Sequence, residues 1–288
     1  MKDLLPVDRY IGISGLTIVA LVSIGAQQVP DPAFRPPIEK PAYPEGKGPT
    51  ILIDEAHKNF HTATGRYMPF AEFLRRDGYV VRASAVRFSF EAFQGKVLVI
   101  ANATETFTRE EIAAVRTWVA DGGSLLLIAD HPPFERPAAD LAKAFGVHFR
   151  EGIARPKGGD SGRIVFRRSD GTLLDHPVTK GVDEVATFTG TAFALGAKGY
   201  PLLMFGPEAY FEKEPNDPSP VSLKGALQGA VLPFGNGRVA VFGEAAMFSA
   251  QISGPDRRPM GMNAPIAKHN PLLLLNVIHW LTGRLPER

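Results

Sequence analysis

The chain of 288 residues contains no cysteine. This absence excludes disulfide bonds, thiolate metal sites, a cysteine nucleophile and a lipid-modified cysteine anchor. It leaves the compartment open, because a reducing cytosol and an oxidising periplasm both tolerate a chain without thiols.

A large excess of charge of one sign is also missing, since the formal net charge is +2 at pH 7. No run of Lys and Arg with interleaved aromatic residues occurs, so we predict no nucleic-acid partner. The composition, 44% hydrophobic and 22% charged, is that of a globular protein long enough to bury a large core.

Complete catalytic motifs are absent as well. No serine lies in a Gly-x-Ser-x-Gly elbow, which disfavours a serine hydrolase. The glycine pairs Gly122-Gly123 and Gly158-Gly159 lack the phosphate-loop and dinucleotide-binding patterns. The sequence therefore indicates a fold more directly than a reaction.

An uncharged, mostly apolar run extends from Ile11 to Ala26 and ends in small residues. It resembles the hydrophobic region and cleavage zone of a secretory signal, and it is shorter than the ~20 residues that a spanning helix prefers. We predict that residues 1–27 are a signal peptide or membrane anchor, that the protein is exported (periplasmic or membrane-anchored), and that only this segment contacts the membrane. The alternative is a buried element of the domain.

Prolines are concentrated in the next segment, residues 28–47. Proline lacks an N–H donor and stiffens the chain, so an extended spacer is predicted here. The alternative is a strap packed over the domain surface. Residues 48–288 are predicted to form the single folded domain.

Short apolar runs alternate with helical patterns in the first half of this domain. A helix is predicted from the capping-box spacing of Thr108 and Glu111, and it ends at Gly122-Gly123. The last strand of this half, Ser124 to Ala129, is apolar without alternation, as in parallel sheets that are covered on both faces. The predicted strands are Thr50 to Ile53, Tyr79 to Val81, Lys96 to Ile100 and Ser124 to Ala129.

The second half of the domain changes character. A helix is predicted over Ala138 to Phe145, and short β pieces follow it from Val147 to Gly199. Gly235-Asn236-Gly237 lies between two apolar runs, which predicts a hairpin, and Leu272 to Leu281 is the final helix. The predicted fold class is α/β: a three-layer, doubly wound, mostly parallel sheet with a β-rich C-terminal portion.

Three stretches carry a resemblance to a known family. The first runs from Lys96 to Asp130, the second joins His176-Pro177-Val178-Thr179 to Phe188-Thr189-Gly190-Thr191, and the third runs from Gly237 to Glu244 and on to the Asn270–Gly283 helix. Together they resemble the class I glutamine amidotransferase-like superfamily, in a bacterial branch without the catalytic cysteine, and more distantly trehalose-utilisation-protein-like domains. The resemblance covers roughly residues 48 to 285 and implies a flavodoxin-like, glutamine amidotransferase-like layering.

In that superfamily the catalytic cysteine sits on a sharp turn after a central strand. The equivalent turn here follows Ile128 and carries Ala129, Asp130 and His131. The nucleophile is missing, so hydrolysis of glutamine through a thioester is excluded.

Polar residues are concentrated after the predicted strands, where doubly wound sheets bind their ligands. We therefore predict one small-molecule pocket there. Its candidate catalytic residues are Asp130, His131, Glu55 and Glu244, and its candidate ligand-binding residues are Asp54, His57, Asn59, His61, Asn263 and His269.

Each candidate can be interpreted either as a functional residue of the pocket or as a structural residue of its loop. Asp130 occupies the elbow region as a general base, or it accepts hydrogen bonds from nearby backbone. Glu55 and Glu244 are paired carboxylates, second-layer partners of the histidines, or loop residues bonded to backbone.

His57 and His61 are separated by the i,i+4 spacing, which on a helix would place both rings on one face. With a carboxylate they could hold a divalent metal such as zinc. The alternative is that His57 caps a loop and His61 faces solvent. No cofactor is implied beyond this possible metal.

Two classes of function remain at this stage. One is an exported enzyme with hydrolase-type acid/base or metal-assisted chemistry in the pocket. The other is a non-catalytic domain that binds a small molecule or carbohydrate, or that mediates an interaction. The polar residues after the first strand favour the first, and the missing nucleophile favours the second. The oligomeric state is not indicated.

Overall fold

The computed structural model describes residues 28–158, 162–196, 198–214 and 217–288. The predicted signal or anchor segment, residues 1–27, lies outside the described residues. Within the described ranges, none of the helices has the length and apolar character that a membrane span requires.

Four helices and a series of strands make up the described fold. The helices are α1 (Met68–Arg76), α2 (Arg109–Ala120), α3 (Glu135–Lys143) and α4 (Asn270–Leu281). The strands are β1 (Gln28–Pro30), β2 (Thr50–Asp54), β3 (Val80–Ser84), β4 (Val97–Ala101), β5 (Ser124–Ile128), β6 (Val147–Phe149), β7 (Ile153–Pro156), β8 (Ile164–Arg167), β9 (Glu184–Thr187), β10 (Phe193–Leu195), β11 (Tyr200–Met204), β12 (Ala209–Glu212), β13 (Val221–Ser222), β14 (Leu227–Phe234), β15 (Gly237–Phe242), β16 (Ala250–Ser253) and β17 (Arg258–Gly261).

A large mixed sheet forms the centre of the molecule, with the strand order β3-β2-β4-β5-β15-β14-β10-β6 and β11 paired to β14. The strands from β3 to β15 in this order are parallel, and β14 and β10 run antiparallel to their neighbours. Every residue of β4 and β5 is buried, because helices cover both faces of the sheet there.

The helices pack on opposite faces of this sheet. Phe70 of α1 and Trp280 of α4 belong to one hydrophobic core, whereas Val115 of α2 and Leu141 of α3 belong to another. Alternate residues of the central strands supply the two cores, as the pleat of a strand requires.

The sequence order of the parallel strands reverses between β2 and β4. Strand β3 lies on one side of β2, and β4, β5 and β15 follow on the other side. At such a reversal the loops that leave neighbouring strands diverge and open a crevice at the carboxyl edge. This edge is where the candidate site lies.

Several sequence-based boundaries differ from the structure. The third helix begins at Glu135, before the predicted Ala138, and the last helix begins at Asn270 with Pro271 in its first turn. Proline is accepted there because the first N–H groups of a helix have no partner within the helix. The hairpin around Gly235-Asn236-Gly237 is confirmed by the antiparallel pairing of β14 and β15.

Residues 28–47, predicted as a spacer, pack against the domain. Strand β1 pairs with β16, and Phe34, Ile38 and Tyr43 pack against the core on the α1 and α4 face. The strap that the sequence left as an alternative is therefore what the structure contains. Smaller antiparallel sheets make up much of the remaining C-terminal half.

Candidate functional site

A cleft of about 460 Å³ opens at the carboxyl edge of the parallel strands. Loops after β2, β4, β5 and β15 supply its floor, and β16 and β17 close one side. Larger cavities of about 610, 650 and 540 Å³ lie beside the strap, beside the C-terminus and beside β10 and β11, away from this edge. The lining residues are Gln28, Phe60, His61, Arg66, Asn102, Asp130, His131, Pro132, Pro133, Phe134, Phe188, Thr189, Glu244, Ala246, Gln251 and Met260.

Asp130 lies on the floor of the cleft, just after β5. Its backbone N–H donates to Asn102 Oδ1 over 2.9 Å, and its Oδ1 accepts the His131 N–H over 2.8 Å. Its other carboxyl oxygen lies 3.4 Å from the Ala245 nitrogen. Burial raises the pKa of Asp130 above its ordinary value, against the opposing effect of His131 and of these hydrogen bonds.

Glu244 follows β15 and is buried beside Asp130. Its two carboxyl oxygens accept the Ala246 and Met247 N–H groups over 2.7 and 2.8 Å. Burial, and then the negative charge of Asp130, raise the pKa of Glu244 to about 8. A carboxyl group with a pKa of about 8 keeps its proton at neutral pH, so the buried pair carries a proton there.

Tyr67 lies beneath this acidic pair, on its buried side. Its hydroxyl donates to the Ala245 carbonyl over 3.0 Å, and its side chain is fully buried. Burial, followed by the charges of Glu244 and Asp130, raises the pKa of Tyr67 well above its ordinary value. The hydroxyl therefore stays protonated and fixes the backbone that follows Glu244.

Polar atoms without a partner among the described residues surround the acidic pair. These are both ring nitrogens of His61, the amide nitrogen of Asn102 and the amide oxygen of Gln251. Burial, and then the nearby Arg66 charge, lower the pKa of His61 to about 3, so its ring is neutral. A neutral imidazole offers one donor and one acceptor.

The mouth of the cleft is aromatic and carries one cation. Phe60 is 44% exposed and lies against Phe134 at a ring-centre distance of 5.2 Å. The Arg66 guanidinium lies 4.0 Å from the centre of the Phe60 ring and donates to Gln28 Oε1 over 2.6 Å. His131, a third exposed, presents its ring at the same mouth.

Two cleft residues have backbone conformations that L-amino acids rarely adopt. Asn102 has φ of 55° and Thr189 has φ of 124°. Asparagine accepts the left-handed region, but a β-branched threonine at φ of 124° is strained. The neighbouring Gly190 has no room for a Cβ, which would lie 2.3 Å from the Gly243 carbonyl oxygen. Strain of this kind accumulates at functional sites.

The sequence-based candidates divide into two groups. Asp130, His131, Glu244 and His61 line the cleft together. Asp54, Glu55, His57, Asn59, Asn263 and His269 do not line it.

His57 is a structural residue in this arrangement. Its Nδ1 lies 2.9 Å from Asp54 Oδ2, and its Nε2 lies 3.1 Å from Glu111 Oε1. The ring is fully buried between Phe88 and Phe107. Because both ring nitrogens and one oxygen of each carboxylate are occupied, neither His57 nor Asp54 is directed at a ligand.

The other candidates outside the cleft also have local roles. Glu55 accepts the Ala63 N–H over 2.9 Å, and Asn263 donates to Asp31 and to the Gln251 carbonyl. Asn59 is buried with no described partner for its amide, and His269 precedes α4 with its Nδ1 buried. Glu55 and Asn263 thus shape the loops and the strap at the cleft edge.

The metal site suggested by His57 and His61 does not form from this pair. His57 bonds to α2, whereas His61 lies in the cleft. Among the described residues, no group of three or more His, Asp or Glu side chains could hold a metal ion.

Sequence reasoning missed several residues of the cleft. Asn102 directly follows β4 and could have been found by the rule that selected Asp130. Gln251 lies within β16, and the Thr189 conformation comes from contacts distant in sequence. No local pattern indicates either of these two.

The sequence profile of the Domain of unknown function (DUF4350) family matches residues 67–251. The chain belongs to this family. The matched segment of the DUF4350 domain includes both acids of the cleft, Asp130 and Glu244. No curated protein matches the chain by sequence.

Solved structures show what the DUF4350 domain resembles in fold. The mmIFT52 N-terminal domain is 16% identical, with a TM-score of 0.61, and the match covers 81% of this chain and 97% of that one. A putative ThuA-like protein from Bacteroides uniformis is 16% identical, with a TM-score of 0.50, and the match covers 86% of this chain and 94% of that one. At these identities the likeness concerns the fold alone.

Proposed function

We propose that the cleft binds a small, neutral, hydroxyl-rich molecule. The observation that carries this proposal is the set of buried, unpartnered polar atoms on His61, Asn102 and Gln251 beside the Asp130–Glu244 pair. A buried polar group without a partner costs about 1–3 kcal/mol, and a ligand that pairs with it recovers that cost. The cleft volume of about 460 Å³ is within the usual range for small-molecule sites.

The ligand chemistry follows from the mixture of donors and acceptors. Asn102 supplies a donor, Gln251 supplies an acceptor, and the neutral ring of His61 supplies one of each. The acidic pair adds a carboxylic acid donor and a carboxylate acceptor. Hydroxyl groups both donate and accept, so a polyol or saccharide matches this set.

The test is calorimetric titration with glucose, mannose, maltose, cellobiose and myo-inositol. We expect at least one to bind, and His61→Phe to weaken that binding by about tenfold, or about 1.4 kcal/mol, while the melting temperature is kept or raised. His148→Phe, a histidine in the exposed part of β6, is the matched control and should bind as the wild type does. The proposal is wrong if none of the five probes binds, or if His61→Phe binds as tightly as the control.

A second candidate function is hydrolysis by acid/base catalysis, and it is favoured specifically by the Asp130–Glu244 pair. One protonated and one ionised carboxyl group are what a hydrolase needs. The acid donates its proton to the leaving-group oxygen as the bond to that oxygen breaks, and the carboxylate takes a proton from the attacking water. In rate assays on p-nitrophenyl glycosides and p-nitrophenyl acetate, Asp130→Asn should lower the rate by roughly a hundredfold. An unchanged rate in that variant would reject the candidate.

We also propose that the domain has the layered, flavodoxin-like core of glutamine amidotransferase-like proteins. The parallel strands, in the order β3-β2-β4-β5-β15, support a flavodoxin-like core, and the ThuA-like neighbour is consistent with it. We propose a domain of that kind without amidotransferase activity. Release of ammonia from glutamine, in proportion to protein, would contradict it.

Export is also proposed, on the sequence of Ile11 to Ala26. Fractionation of cells that express the tagged full-length chain should place it outside the cytoplasm. Recovery only in the cytosol, with the N-terminus intact, would contradict export.

A further inference from the structure

The segment predicted as a signal or anchor joins the folded domain at the mouth of the cleft. Gln28 is the first residue that the structure describes. It lines the cleft, and its Oε1 accepts a hydrogen bond from the Arg66 guanidinium over 2.6 Å. The apolar run of the predicted segment ends at Ala26, two positions earlier. Two residues span at most about 7 Å, so that run ends within about 7 Å of a residue that lines the cleft.

No free spacer separates the apolar run from the domain. Residues 28–47, which the sequence predicts as a spacer, are packed on the domain, because β1 pairs with β16 and Ile38 and Tyr43 contact the core. Gln28 itself is paired with Ser253 in the β1–β16 ladder. A domain on a long flexible linker can turn any face towards a membrane. This domain is attached at a fixed point, and an anchor there would restrict which face it presents.

The surface around Gln28 carries the residue types that are typical of a membrane interface. On one side lies Phe60, 44% exposed, with the Arg66 guanidinium 4.0 Å from the centre of its ring. On the other side is the turn between β16 and β17, which carries the exposed Arg257 and Arg258. Aromatic rings and long basic side chains are favoured at the level of lipid headgroups, because each combines an apolar stem or ring with polar contacts.

Positive charge exceeds negative charge on this surface. The stretch from Gly254 to Arg258 contains two arginines and one acid, Asp256. The ion pair between Asp256 and Arg258 is exposed on both sides, so solvent screens it. Arg66 adds a third cation at the mouth of the cleft. Anionic headgroups attract basic side chains that lie within about a Debye length of the membrane surface.

We propose that residues 1–27 are retained as a membrane anchor and that the mouth of the cleft faces the bilayer. Phe60 and the turn that carries Arg257 then lie in the headgroup layer of a membrane that contains anionic phospholipids. This inference rests on the export proposed above, in its membrane-anchored form, and is independent of which ligand the cleft binds. It extends the sequence-based expectation that only the N-terminal segment contacts the membrane.

Because the chain contains no cysteine, its orientation can be measured with single cysteine variants. Phe60→Cys and Arg257→Cys, one on each side of Gln28, each give the full-length chain one site for a thiol-reactive fluorophore. The labelled chains are reconstituted into vesicles of three parts phosphatidylcholine and one part phosphatidylglycerol, with or without a nitroxide quencher on the headgroups. Both fluorophores should lose emission when the quencher is present, because both positions lie in the headgroup layer.

Asp121→Cys is the matched control. Asp121 is exposed after α2, at the opposite edge of the sheet. The five-residue strands β4 and β5 separate the two edges by roughly 17 Å. A fluorophore at this position should therefore keep its emission in the same vesicles.

Quenching at Phe60→Cys and Arg257→Cys that is no stronger than at Asp121→Cys would reject the orientation, while export and anchoring would stand. Quenching at only one of the two positions would mean that the cleft opens to the side, which also rejects it. Cell fractionation with mass analysis of the N-terminus tests the anchor itself. Recovery of exported, soluble protein without residues 1–27 would reject the anchor and this inference with it, whereas recovery only in the cytosol would reject export as well.

Discussion

At the scale of single residues, two buried histidines of one loop have opposite surroundings. His57 lies between the carboxylates of Asp54 and Glu111, so both of its ring nitrogens have acceptors. His61 has no described partner for either nitrogen and lines the cleft. His57 therefore holds the loop in place, and the loop positions His61 in the cleft.

Replacing His57 by alanine should lower the free energy of unfolding. Asp54 and Glu111 would remain buried without their common partner, and removal of one member of a buried charged group costs about 3–5 kcal/mol. Although burial opposes it, the Thr108 N–H and then His57 hold the pKa of Glu111 below its ordinary value, so the Glu111 carboxyl group is ionised at neutral pH. Urea denaturation measures the loss.

The control for this change is His148→Ala, in the exposed part of β6, which should shift the unfolding free energy by less than about 0.5 kcal/mol. A similarly small loss in His57→Ala would show that the Asp54–His57–Glu111 contact adds no stability.

Thr189 provides the opposite prediction, a substitution that stabilises. Its φ of 124° is strained for threonine by about 1–3 kcal/mol, while glycine accepts this conformation at an entropic cost of about 0.5–1 kcal/mol. Thr189→Gly should therefore raise the unfolding free energy by roughly 1 kcal/mol. Thr191→Gly, nearby and buried, loses the bond from its hydroxyl to the Arg150 carbonyl and should destabilise. Equal losses in both variants would contradict the strain at Thr189.

At the scale of elements, the strap of residues 28–47 is attached to the rest of the domain at two places. Strand β1 pairs with β16 near the cleft, and Asp77, after α1, accepts the Ala42 N–H over 2.7 Å. The second Asp77 oxygen lies 2.7 Å from His279 Nε2 of α4. One fully buried carboxylate thus joins the strap, the first helix and the last helix.

Asp77→Ala should loosen the strap. The Ala42 N–H and the His279 ring lose their charged acceptor, which should cost about 3 kcal/mol. Hydrogen–deuterium exchange of the peptide over residues 31–47 should become faster, while peptides of β4 and β5 should stay protected. Asp121→Ala, at the same position after α2 but exposed, is the matched control. Unchanged exchange in the strap would contradict the role of Asp77.

Local patterns predicted the elements whose causes are local. The Thr108–Glu111 capping box is confirmed, and so are the apolar strands β4 and β5, because adjacent residues determine both. Strand β16, which carries Gln251, was not predicted. It lies between β17 and β1, the latter more than two hundred residues earlier, and the stability that a short polar strand gains from such partners is not visible in its own sequence.

At the scale of the whole molecule, the carboxyl-edge rule located the site but not its membership. It selected His61, Asp130, His131 and Glu244, which lie in one cleft. It also selected Asp54 and five other residues outside the cleft, because the rule identifies a loop and not the direction of each side chain. Those directions depend on helix and strap residues that pack against the loops.

The buried groups of the cleft give the molecule opposing responses to pH. The pKa of His61 is lowered by burial to about 3, so its contribution is present above pH ~6.5 and is lost as the pH falls toward 3. The pKa of Glu244 is raised to about 8, so its contribution is present below pH ~4.5 and is lost as the pH rises toward 8. The effect of the acidic pair on stability can therefore be separated from that of His61 only by comparing variants.

Asp130→Asn should reduce the fall in the free energy of unfolding that Glu244 causes between pH 5 and 8. Without the Asp130 charge, the pKa of Glu244 moves toward its ordinary value, so fewer protons must leave the folded state between pH 5 and 8. Relative to the wild type, the variant should gain stability over this range, by on the order of 2 kcal/mol. Urea denaturation at pH 5, 6, 7 and 8 measures the difference, and Asp140→Asn, exposed on α3, should track the wild type. Because His61 titrates in all three proteins, its contribution cancels. A difference between wild type and Asp130→Asn that does not change from pH 5 to 8 would mean that the Asp130 charge does not raise the pKa of Glu244.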